Sequence, residues 1–137
     1  MNTKILMTTS AVILLTAGVI LTFIPLEILS YFNLSTDKSF QILMQVLGAL
    51  YFAFGMLNWM TKTNLIGGIY NRPIAVANLT HFLIVALIFI KGLISNPGSP
   101  FAIWVIGSIY TVFALSFGFI LFRHPISEKN DNKNLFE

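Results

Sequence analysis

The 137-residue chain contains no cysteine. Disulfides, thiol nucleophiles, iron–sulfur clusters and thiolate zinc sites are therefore excluded. Charge is also scarce. Charged residues make up 9% of the sequence, against about 25% in a soluble domain. Of the acids, Glu27 and Asp37 share one loop, while Glu128, Asp131 and Glu137 lie near the C-terminus. No apolar run carries an acid, so neither a Ser-His-Asp triad nor a carboxylate pair for glycoside hydrolysis can be assembled inside one. The net charge of +3 comes from lysines and arginines scattered singly along the chain. They form no basic stripe, and no nucleic-acid partner is expected. With one histidine in a run and one in the tail, no metal shell is expected either, and no cofactor motif is visible.

Hydrophobic residues, by contrast, reach 56%, above the roughly 45–50% of soluble domains, which excludes disorder over most of the length. Four apolar runs stand out, at about residues 5–24, 40–60, 74–93 and 101–122. Each is about 20 residues long, the length needed to cross a hydrocarbon core about 30 Å thick. The first run exceeds the h-region of a signal peptide and lacks a small-x-small cleavage site, so it reads as a retained span. The expected fold is all-α, a four-helix transmembrane bundle of up-and-down order. One integral membrane domain covers 1–124, and a polar cytoplasmic tail covers 125–137.

The joints carry helix punctuation. Pro25 ends the first span, and Leu26 to Phe32 reads as a short interfacial helix with Glu27 in its first turn. Ser35, Thr36 or Asp37 can cap the second span, Asn71-Arg72-Pro73 opens the third, and Ser99-Pro100 opens the fourth. Gly67-Gly68 lies in a polar loop without phosphate-loop spacing and reads as an ordinary turn. Lys4, Lys62, Arg72, Arg123, Lys129 and Lys133 fall on one side of the membrane, Lys38 and Lys91 on the other. The positive-inside rule then places both termini in the cytoplasm. Small residues form two stripes, Gly48 with Gly55 and Gly107-Thr111-Ala114-Gly118, suited to close helix packing within the bundle or to a homo-oligomer seam.

Polar side chains inside spans are costly unless partnered and so mark candidate sites. Gln41, Gln45 and Asn58 occupy the second span, and Asn78, Thr80 and His81 the third. At 1.5 Å per residue, His81 lies about 18 Å below the outer end of its span, level with Tyr51 and Tyr110. A mid-membrane cluster of His81, Asn78, Tyr51 and Tyr110, extended outward by Gln45, is expected. His81 reads either as a relay or ligand contact, or as a hydrogen-bonded ring that knits helices together. Arg72 and Lys62 are candidates for a lipid phosphate.

Phe23-Ile24-Pro25-Leu26-Glu27, Leu47-Gly48-Ala49-Leu50-Tyr51, Gly55-Met56-Leu57-Asn58-Trp59 and Arg72-Pro73, with the overall layout, carry a resemblance. Over about residues 5–122 the chain resembles small four-span bacterial membrane proteins grouped as DoxX-like or as domains of unknown function. The resemblance implies a bacterial cytoplasmic membrane. Some DoxX-like proteins are associated with quinone-linked oxidoreductases, but no motif here carries that association over. With no catalytic constellation, the leading expectation is a non-enzymatic accessory or structural subunit. It would act through helix or lipid contacts, with the bilayer and either a homo-oligomer or another membrane protein as partner. The alternative is a small transporter or a lipid- or quinone-binding protein built around His81.

Overall fold

The computed structural model describes residues 3–63 and 71–123. Gly67-Gly68 and the tail 125–137 lie outside the described residues. Five helices follow in order: α1 (Thr3–Phe23), α2 (Pro25–Tyr31), α3 (Lys38–Thr61), α4 (Arg72–Ser95) and α5 (Phe101–Arg123). Four of them are long and apolar enough to cross a membrane, and the chain is a multi-pass membrane protein with a short helix after its first span. Each span follows its apolar run to within about two residues, because the polar caps outside the run are recruited into the terminal turns.

The bundle is up-and-down, built from two intimate pairs. α1 packs along α3, α4 packs along α5, and α5 returns against α1. The α1–α3 seam is a contact between backbones. A Cβ added to Gly18 would stand 2.8 Å from the Gly48 carbonyl oxygen, and one added to Gly55 would stand 2.8 Å from the Leu15 nitrogen. Small residues permit this approach, which replaces hydrophobic driving force with van der Waals contact in lipid. α3 accordingly buries only Gly48, Gly55 and Asn58. The other stripe faces α4, with Gly107 beside Phe89 and Gly118 beside Leu79. Larger side chains fill the space between the pairs. Phe82 of α4 stacks on Phe113 at 4.8 Å and on Phe117 at 5.6 Å, while Leu6, Met7 and Leu14 of α1 close the core. Outward-facing apolar residues such as Leu43, Leu50, Leu87 and Leu115 stay exposed, as a lipid-facing surface requires.

Pro25 cannot donate to the α1 ladder, so the chain turns there and α2 lies across the ends of α1 and α3. Its inward side is Pro25 and Leu29, both buried, while Leu26, Glu27, Ser30 and Tyr31 are exposed. α2 ends in a Schellman closure: Asn33 has φ 52°, Leu34 N–H donates to the Leu29 carbonyl and Asn33 N–H to that of Ser30. A left-handed residue is costly for all but glycine and, less so, asparagine. Asn33→Val is expected to lower the thermal midpoint, at a cost of about 1–2 kcal/mol, while Asn33→Gly leaves it nearly unchanged. Thermal denaturation of detergent-solubilised variants checks both.

Asp37 occupies the N-cap position of α3, but its carboxylate accepts from the Ser35 hydroxyl at 2.7 Å instead of capping the helix. At the α5 end of the 96–100 turn, the Ser99 hydroxyl donates back to the Asn96 carbonyl at 2.7 Å and tightens that turn.

Candidate functional site

The half of the bundle that carries Lys62 and Arg72 is locked by polar side chains. Asn58 sits about 5 Å from the end of α3, and Asn78 about 9 Å into α4. Their amides pair reciprocally: Asn58 Nδ2 donates to Asn78 Oδ1 at 2.7 Å, and Asn78 Nδ2 donates to Asn58 Oδ1 at 2.8 Å. The second Asn58 proton goes to Ser10 Oγ of α1 at 3.1 Å, and the second Asn78 proton to the Ile74 carbonyl at 3.0 Å. Ser10 Oγ in turn donates to the Met7 carbonyl. All three side chains are fully buried. Five donor protons thus have five acceptors, and three helices are tied at one level. A saturated network of this kind holds helices and has no N–H left for a ligand.

The opposite half is hollow. An apolar cavity of about 340 Å³ lies beneath α2. Ile13, Ala17, Ile20 and Leu21 of α1, Ile28 of α2, and Phe32 form one side. Leu47 and Tyr51 of α3, Phe89 of α4, and Ile106, Ile109 and Tyr110 of α5 form the other. The only polar groups in this wall are the hydroxyls of Tyr51 and Tyr110, which lie against each other.

A second concavity of about 720 Å³ runs between α3 and α4. It is lined by Leu47, Leu50, Tyr51, Ala53, Phe54, Leu57, His81 and Val85. The His81 ring meets aromatic rings on several sides, edge-on to Tyr51 at 5.4 Å and to Phe54 at 5.2 Å, and tilted to Tyr110 at 5.8 Å. Its Nε2 is buried and has no hydrogen-bond partner. Leu47 and Tyr51 belong to both concavities and separate them.

The structure therefore brings His81, Tyr51 and Tyr110 together at mid-depth and takes Asn78 elsewhere. Asn78 shares a helix face with His81, but its amide turns to Asn58. Gln45 also stands apart. Its Nε2 donates to the Thr22 carbonyl at 3.3 Å, near the end of α1, where proline has removed the next donors. Gln41 donates to the Thr36 carbonyl at 2.8 Å. Lys62 rests over the Trp59 ring, with Nζ 3.1 Å from its centroid, a cation–π contact at the membrane edge. Arg72 is exposed in the first turn of α4. Ser10 and Gly18 escaped the sequence reading. A serine in a span ordinarily bonds its own helix, and only the rotation of α1 reveals its second role. Gly18 had a signal, since Ala11, Gly18 and the α3 pair Gly48 and Gly55 repeat with the same seven-residue spacing.

Among the described residues, no group of three or more His, Asp or Glu side chains gathers to hold a metal. The mid-depth cluster offers an imidazole and two phenols in an apolar setting, suited to hydrogen bonding a neutral ligand. No family model, curated protein or solved structure matches the chain.

Proposed function

We propose that this is a non-enzymatic, multi-pass protein of a bacterial cytoplasmic membrane that holds a lipid or quinone-like molecule in the cavity beneath α2. Both termini lie in the cytoplasm, where the six-to-two division of lysine and arginine puts them. Lys62 and Arg72 meet lipid phosphates at that surface. One observation carries the ligand reading: the outer half holds a partly open hollow of about 340 Å³ whose wall is apolar except for two tyrosine hydroxyls. Small-molecule sites run from about 300 to 1,000 Å³ and combine apolar walls with a few converging polar groups.

Ala17 lines the cavity. Ala17→Phe projects a benzyl ring into the hollow and narrows it, at a position outside the glycine seam. Native mass spectrometry of wild-type protein extracted gently from its own membrane is expected to show a retained small molecule, with occupancy at least tenfold lower in Ala17→Phe. A wild-type protein without bound mass, or an Ala17→Phe variant that retains it, overturns the reading.

An accessory or structural subunit is the second reading. It is favoured by α3, which buries 11% of its most apolar window while the other spans bury between 22% and 33%. Its outward face, including Leu43, Leu50 and Leu57, is available to another helix. The same spectra test it, since a ligand-free oligomer or a complex with a second membrane protein supports this reading.

A further inference from the structure

We propose that the groove between α3 and α4 admits the ligand sideways from the bilayer, and that His81 Nε2 hydrogen-bonds its polar oxygen near the middle of the membrane. The ligand class is an uncharged chain molecule bearing one hydroxyl or carbonyl. The proposal rests on the cavity reading above, since the chain of the ligand would lie beneath α2.

Three observations converge on it. First, His81 Nε2 is the one buried side-chain nitrogen or oxygen without a hydrogen bond among the described residues, while buried Ser10, Asn58 and Asn78 are all satisfied. Buried polar groups are ordinarily paired, so an orphan in a concave site marks the place of a missing partner. Second, His81 lies about 14 Å from the start of α4 and about 21 Å from its end. Water does not serve backbone or side chains in the hydrocarbon core, and phospholipid headgroups stand about 15 Å from its centre. A charged head is excluded at that depth by its solvation cost. What remains is a neutral polar group carried inward on an apolar chain. Third, the groove and the cavity share Tyr51 and Leu47. A molecule whose oxygen meets His81 abuts the cavity wall formed there by Leu47, Tyr51 and Tyr110, and its chain enters the cavity by displacing the Leu47 or Tyr51 side chain. A neutral imidazole nitrogen either donates or accepts, depending on its tautomer. A hydroxyl satisfies both states and a carbonyl the first.

The test uses the full chain in phosphatidylcholine nanodiscs with ¹⁵N-labelled histidine. Only two histidines are present, and His81→Gln assigns the signals. Phytol is the probe, and phytane is the matching hydrocarbon without the hydroxyl. The His81 Nε2 resonance is expected to move with phytol and stay fixed with phytane. Retention of phytol by native mass spectrometry should fall at least tenfold in His81→Leu and recover in part in His81→Gln, which keeps a hydrogen-bonding group. An Nε2 that ignores phytol, or one that answers both probes equally, overturns the proposal, as does undiminished phytol retention by folded His81→Leu. Ala17→Phe separates this proposal from the cavity reading. If Ala17→Phe loses phytol but the wild-type Nε2 never moves, the cavity stands and the His81 anchor falls. If Nε2 moves and Ala17→Phe keeps phytol, the anchor stands and the cavity is not the seat of the chain.

Discussion

Asn58→Leu is expected to destabilise the bundle by about 2 kcal/mol, and adding Asn78→Leu to recover most of that loss. The asymmetry follows from the reciprocal amide pair. Removing Asn58 alone strands Asn78 Oδ1 and one of its N–H protons in a fully buried site with no water to replace them. Removing both leaves two leucines of similar volume facing each other in an apolar environment. Ser10 is not orphaned in either case, because its hydroxyl keeps the Met7 carbonyl. Interhelical hydrogen bonds in membranes average only about 0.6 kcal/mol in double-mutant cycles. The large single-variant loss therefore measures a stranded amide and not the worth of the pair. Reversible unfolding in mixed micelles across the four-member cycle reads the coupling. Simple additivity of the two substitutions would contradict the reciprocal geometry.

Gly18→Leu is expected to cost more, about 3 kcal/mol or above, at the upper end of what overpacking does. The first atom of a new side chain at Gly18 would stand 2.6 Å from the Phe52 nitrogen and 2.8 Å from the Gly48 carbonyl oxygen. Both obstacles are backbone, so no rotamer relieves the clash and α1 must leave α3. Gly48 is blocked from the other side by Thr22, whose Oγ1 would lie 2.5 Å from an added Cβ. Gly92 supplies the contrast. It is a helical glycine with nothing within 4 Å of its added Cβ, and Gly92→Ala is expected to stabilise by roughly 0.5–1 kcal/mol through helix propensity alone. The same unfolding measurement compares the two glycines. Tolerance of leucine at Gly18 would mean that the two helices are not in backbone contact.

The spans were legible because a bilayer imposes a length, and apolar runs of that length announce themselves between prolines and polar joints. The short helix was legible for a related reason: Pro25 must stop a helix and is well placed to begin another. Depth was legible too, since rise per residue is constant, and this put His81, Tyr51 and Tyr110 at one level. Rotation was not. Asn78 and His81 lie three residues apart and share a face, yet one turns to Asn58 and the other to Tyr51 and Phe54. That choice depends on how α3 presents itself to α4, and α3 is oriented by its glycine contact with α1. A weakly patterned helix, apolar on every side, carries little of that information in its own sequence. The cavity was invisible for a further reason, since a void is a property of five segments that each fail to fill the same space.

The division of the α1–α3 seam from the later helices has a bearing on how the molecule is made. A chain entering the membrane from its N-terminus delivers α1, α2 and α3 before α4 exists. At the seam Gly18, Gly48 and Gly55 meet only residues of α1 and α3, so nothing in that contact waits for α4. During that interval Asn58 has one ready partner, Ser10 on the helix already beside it. The arrival of α4 gives Asn78 to the waiting amide and sets the register of the second hairpin against the first. Asn58 is thus the side chain through which α4 joins the first pair, and a nascent chain halted before residue 78 would hold that amide without its Asn78 partner.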